Sequence, residues 1–159
     1  MTWAEICADK RLQDLPFRIE SDRWGNIVMS PPPRSDHAEF QGLINQMLGA
    51  MLKNGIAITE CPLQTTEGVK AIDVAWISRT RRDSRPHRPA YLIAPEICVE
   101  ILSPSNTSDE IEFRKRLFFE KGAAEFWVCD EDGRMTFFDA AGELPASKLC
   151  PSFPSAVEV

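Results

Sequence analysis

The sequence predicts an α/β fold, a mixed sheet flanked by helices. Three observations carry that expectation. Strand-like and helix-period segments alternate along the chain instead of falling into separate blocks. Residues 71–77 (AIDVAWI) and 97–102 (ICVEIL) are almost wholly apolar, the composition of strands buried on both faces. Two further stretches keep an apolar stripe at helical spacing. The 159 residues, 43% hydrophobic and 26% charged, suit one soluble globular domain over 1–159, with its core at about 17–140.

The elements follow in order. Residues 17–21 and 26–30, joined through a turn containing Gly25, read as a hairpin, and Pro31, Pro32 and Pro33 end it because proline cannot donate to a ladder. Ser35 or Asp36 is expected to cap a helix running from 36 to about 53, with Phe40, Leu43, Ile44, Met47, Leu48 and Met51 on one stripe. Gly55 is expected to stop it. Residues 56–61 read as a short strand, and the strand carrying Asp73 follows a Thr/Gly turn. From Arg79 to about Ala90 the chain is polar, basic and proline-bearing, the pattern of a loop. After the strand carrying Glu100, Ser103-Pro104-Ser105-Asn106 closes it. Thr107 or Ser108 caps a second helix with Asp109, Glu110 and Glu112 in its first turns, and Gly122 ends that helix. Residues 125–129 and 135–138 are strands joined by the turn signal Asp130-Glu131-Asp132-Gly133.

Asp73 and Glu100 are the chemically informative residues, because each is an isolated acid in an apolar strand. A buried carboxylate is costly unless something pairs with it. If the two strands are neighbours, both acids can face one groove and share a divalent cation. Hard oxygen ligands at that spacing suit Mg²⁺ or Mn²⁺. Partnered structural acids explain the same pattern. On a helical wheel Arg114 and Lys115 flank the apolar face of the second helix, and either can reach inward; both can also extend their stems to solvent. Two carboxylates, a metal and a basic group form a minimal apparatus for phosphodiester cleavage. His37, near the apolar stripe of the first helix, reads as structural; Glu20 is a weaker candidate that could approach the groove; Glu39 reads as solvated.

The net charge of −6 argues against a surface coated in phosphate-binding cations, although Arg79, Arg81, Arg82, Arg85 and Arg88 form one local basic segment, which suits either phosphate contacts or a merely solvated loop. No apolar run approaches a membrane span, and no basic region precedes an apolar stretch at the N-terminus, so a cytoplasmic protein is expected. The five cysteines are dispersed, without zinc-site spacing or a disulfide framework.

Glu20 through Ser30-Pro31-Pro32-Pro33, His37, Asp73, the block Val99-Glu100-Ile101-Leu102-Ser103-Pro104-Ser105, the basic helix and the block Gly122-Ala123-Ala124-Glu125-Phe126-Trp127 together resemble the Uma family, within the PD-(D/E)XK nuclease superfamily. The resemblance implies a restriction-endonuclease-like fold. It also implies metal-binding acids at Asp73 and Glu100 and a catalytic lysine moved to the following helix. Counted back from the glycine, that lysine position holds Arg114, with Lys115 beside it; the proline before the first acid is Ile72. The expected function is a Mg²⁺-dependent DNA endonuclease, homodimeric so as to cut both strands. The alternative is a nuclease-derived nucleic-acid-binding module without catalysis.

Overall fold

The computed structural model describes residues 1–84 and 88–159. In chain order the elements are α1 (Trp3–Ala8), β1 (Arg18–Ser21), β2 (Ile27–Ser30), α2 (Ser35–Met51), β3 (Gly55–Thr65), β4 (Gly68–Ser78), α3 (Arg79–Asp83), β5 (Ile97–Ile101), α4 (Ser108–Glu120), β6 (Glu125–Cys129), β7 (Met135–Asp139) and β8 (Gly142–Leu144). Six of the strands form one mixed sheet in the order β3-β4-β5-β6-β7-β8, and β1 pairs with β2 in a separate two-stranded sheet. Among the described strands of this sheet only the β5–β6 pair is parallel. A parallel pair needs a crossover, and α4 supplies it.

The two long helices, α2 and α4, form where the sequence places them, with local differences. α2 is capped by Arg34 without a side-chain bond, not by Ser35 or Asp36, and it ends at Met51 before Gly55, which instead opens β3. α4 has the expected cap: Thr107 Oγ1 accepts from the Glu110 amide and the Glu110 side chain accepts from the Thr107 amide. Gly122 ends it at φ +97, a conformation that favours glycine. Neither α1 nor β8 was expected, and β3 runs longer than 56–61. The basic segment after β4 is not a loop throughout. Arg79–Asp83 is a short helix capped by Ser78, and Arg85 lies outside the described residues.

Each face of the sheet buries its own core. On one side Phe40, Ile44 and Leu48 of α2 pack on Val74, Trp76, Val99, Ile101, Trp127 and Phe137. Residues 147–157 close over this layer. Phe153 sits 4.7 Å from Trp127, ring centre to ring centre, while Trp127 meets Phe137 edge-on at 4.9 Å. On the other side Leu117 and Phe118 of α4 cover Cys61, Leu63, Ile72, Ala75, Cys98 and Phe126. Glu125 is a buried acid with four donors. Trp127 Nε1 and Ser147 Oγ each reach Oε2 at 2.7 Å, and the Lys148 and Leu149 amides reach Oε1 at 2.8 and 3.0 Å. Satisfied so fully, it fastens residues 147–149 to β6.

The sheet is irregular at one place, and that irregularity makes the site. The β4–β5 ladder pairs Val74 with Val99, Ala75 with Cys98 and Trp76 with Ile97, and stops one step short of Asp73 and Glu100. There the strands part. Glu60, opposite Asp73 on β3, has φ +50, and Gln41 of α2 donates to the Asp73 carbonyl at 2.9 Å. Regular alternation slips at this point: Ile72 and Ala75 fall in one core, Val74 and Trp76 in the other. Beyond the split the free edge of β4 takes side chains of β1 as partners. Ser21 Oγ accepts from the Val69 amide at 2.9 Å, and Glu20 Oε2 from the Ala71 amide at 2.6 Å. Gly68, at φ +90, lets the β3–β4 turn lie against the Ser21 and Asp22 carbonyls, where a Cβ would collide.

Candidate functional site

A cleft of about 1070 Å³ opens where β4 and β5 diverge. Asp73, Glu100, Glu20, His37, Lys70, Arg18 and Arg114 line it, beneath a rim that includes Pro31–Pro33, Phe17 and Phe113. Asp73 and Glu100 are 2% and 3% exposed. The strand splay thus brings the two acids together in a groove, as their pattern in the sequence anticipates.

Each acid meets a cation. Asp73 Oδ2 accepts from the Ile101 amide at 2.8 Å, which anchors it across the split, and lies 3.5 Å from His37 Nε2. Its Oδ1 lies 3.1 Å from Arg18 Nη1, yet no hydrogen-bond donor among the described residues is aligned on it. Glu100 Oε1 accepts from Arg114 Nε at 2.8 Å. The other end of the same guanidinium donates to Glu20 Oε2 from Nη1 and Nη2, both at 3.1 Å, and to the Ala71 carbonyl at 2.8 Å. Arg18 reaches that carbonyl too.

Burial drives the Glu100 carboxyl well above the usual range; Arg114 opposes the shift and the neighbouring Asp73 charge adds to it. Burial also pushes Asp73 upward, but the His37 bond and the Arg18 charge outweigh it, leaving Asp73 below the usual range. The two carboxyls are thus pushed in opposite directions, Glu100 toward its neutral form and Asp73 toward its charged one, as expected for acids that resist ionising side by side. His37 is raised by its bond to Asp73 against the opposing effect of burial.

Of the two basic candidates on α4, only Arg114 enters the cleft. Lys115, weighed equally from the wheel, is corrected by the structure. Its Nζ pairs with Glu112 Oε1 at 3.0 Å and lies 4.3 Å from the Phe138 ring centre, on the other flank of the helix. The hundred-degree step between successive helical residues separates them. The basic segment stands apart from the cleft. None of its described arginines lines it; Arg79, Arg82 and Arg88 are exposed, while Arg81 is tied to the Ala94 carbonyl at 2.7 Å, the Gly122 carbonyl at 3.0 Å and Glu96 at 3.3 Å.

Glu20 and His37, read as weak or structural, both stand in the cleft. Arg18 and Lys70 escaped notice in the sequence. The hairpin position of Arg18 gave no sign of its reach to Asp73. Lys70, three residues before Asp73, belongs on the opposite face of a regular strand, and the slip at Asp73 brings both to the same cleft.

The acids fit a divalent cation. They are hard oxygen donors, and Asp73 Oδ1 is buried without an aligned donor among the described residues. Among the described residues no trio of His, Cys, Asp and Glu gathers as a ready metal site, so water and phosphate oxygens would have to complete the shell.

A family profile described as "Putative restriction endonuclease", Uma2, matches residues 10–143, and the chain belongs to that family. Among solved structures it is similar to a chain titled "Crystal structure of a putative nuclease belonging to DUF820", from Anabaena variabilis. The TM-score is 0.75 at 17% identity, covering 98% of this chain and 94% of that one, which is a likeness of fold. No curated protein matches the sequence. No helix among the described residues is long and apolar enough to cross a membrane.

Proposed function

From membership of the Uma2 family we propose that the chain is a Mg²⁺- or Mn²⁺-dependent nuclease that hydrolyses phosphodiester bonds in DNA. The observation that carries this reading is the meeting of Asp73 and Glu100 where β4 and β5 part, with one aspartate oxygen lacking an aligned donor. Asp73 and Glu100 are the residues to hold the metal, which when bound would polarise the scissile phosphate and acidify the attacking water.

The other roles belong to the chain itself. The Ile101 amide fixes the direction of Asp73, and Gln41 fixes the backbone beneath it. Arg114 holds Glu100 and Glu20 as a pair, and its charge, with that of Arg18, offsets the negative charge that a phosphate brings into the cleft. Guanidinium suits this work because it stays charged and bonds through several donors at once. Cutting both strands of a duplex requires two such clefts, which supports a homodimer as the working form.

The test is calorimetric titration with Mn²⁺ alongside plasmid nicking. Asp73→Asn and Glu100→Gln should each weaken Mn²⁺ binding at least roughly 10-fold and abolish nicking, while circular dichroism stays unchanged. If both variants bind Mn²⁺ like wild type, the metal assignment fails. If wild type binds the ion and cuts nothing, the non-catalytic nucleic-acid-binding reading takes its place.

A further inference from the structure

Arg114 occupies the helix position but is a poor proton carrier, and its donors are committed to Glu100, Glu20 and the Ala71 carbonyl. Of the cations that line the cleft, which include Arg18, Arg34 and Arg114, Lys70 is the lysine. It is half-buried, and among the described residues Nζ gives one hydrogen bond, to the Ser21 carbonyl at 3.0 Å. An ammonium has three donors, so two remain for the cleft. The groups that face it come from several elements: Glu20 from β1, Asp22 from the β1–β2 turn, Glu67 from the β3–β4 turn and Arg114 from α4. Its place is fixed by the slip of alternation at Asp73, which puts Lys70 and Arg114 on one side of the split.

We infer that Lys70 is a catalytic residue of the cleft, the group that protonates the oxygen leaving phosphorus. The inference rests on the hydrolytic reading above. In the step, a water oxygen bonds to phosphorus and the ester P–O bond breaks. The leaving oxygen takes a proton from the Lys70 ammonium, the water gives up a proton to solvent, and solvent then reprotonates the amine. Burial pulls Lys70 below the ordinary lysine range, with Glu20 opposing and Arg114 adding to the shift, which brings the ammonium toward the acidity that a general acid needs.

The experiment measures kcat and KM with Mn²⁺ on a fluorogenic DNA substrate, from about pH 6 to 10, for wild type, Lys70→Met and Lys70→Arg. Wild-type kcat should fall along an alkaline limb as Lys70 loses its proton. Lys70→Met should lose roughly 100-fold in kcat with KM and Mn²⁺ affinity nearly unchanged, and should lack the limb. Lys70→Arg should stay as slow, because it restores the charge but is far too weak an acid to release its proton in the step. Rescue by arginine would overturn the inference and leave Lys70 a phosphate-binding charge. Full activity in Lys70→Met, or an alkaline limb that persists in it, would overturn it as well. In each of these cases the active wild type leaves the hydrolytic reading standing. A wild type that cuts nothing overturns both.

Discussion

Arg114→Ala tests whether the cleft is held by one guanidinium. The Arg114 side chain is 15% exposed, with the side chains of Glu100 at 5% and Glu20 at 10%, so both pairs are desolvated rather than surface contacts. Exposed ion pairs contribute about 0–1 kcal/mol, whereas removal of one partner from a buried pair costs about 3–5 kcal/mol, because a charge is left without compensation. Arg18 remains in the cleft and offsets part of the exposed charge, which places the loss near the lower figure, about 3 kcal/mol. For a chain of this size that corresponds to a fall in Tm of roughly 6–12 °C. The assay is thermal and urea unfolding in EDTA and again in Mn²⁺. The deficit should narrow in Mn²⁺, since a cation held between the acids of the folded state replaces part of the lost charge. A loss below about 1 kcal/mol in EDTA would refute the reasoning, because it would place Arg114 among ordinary surface pairs.

Two further predictions concern stability. Glu125→Gln turns one acceptor oxygen into a donor facing other donors, and should cost about 3 kcal/mol with faster amide exchange over residues 147–157; an unchanged urea midpoint would show that Phe153 and Val157 hold that segment alone. His37→Gln tests pH linkage in the metal-free protein. The folded pKa of His37 is raised, so its pairing with Asp73 favours the fold fully below the unfolded value of about 6.5, and that advantage fades as pH rises through the folded value. The stability gap between wild type and His37→Gln should therefore shrink on going from mildly acidic to alkaline buffer, and a gap that widens with pH would contradict the assignment.

The legible parts of this molecule are those set by local pattern. The stripe of Phe40, Ile44 and Leu48, the Thr107–Glu110 capping box and the apolar strands around Asp73 and Glu100 each announce themselves within a few residues. What stayed hidden depends on long-range geometry. Nothing near Lys70 signals that the strand slips three residues later, and nothing near Arg18 signals an aspartate on another strand. Arg114 and Lys115 differ by one helical step, and only the docked orientation of α4 chooses between them. Arg81 looked like part of a phosphate-binding run because its three backbone and carboxylate partners come from segments 13 to 41 residues away. α1 and β8 are too short for period to reveal them.

The clasp at Glu125 also bears on the order of assembly. Every described side chain that builds the cleft precedes residue 115, whereas Phe153 and Val157, which cover Trp127 and Phe137, leave the ribosome after them. The half of the sheet that carries the chemistry can therefore organise while the opposite aromatic layer is still wet. A nascent chain stalled before residue 147 would display that layer to other chains, and docking of the Glu125 strap is the event that withdraws it.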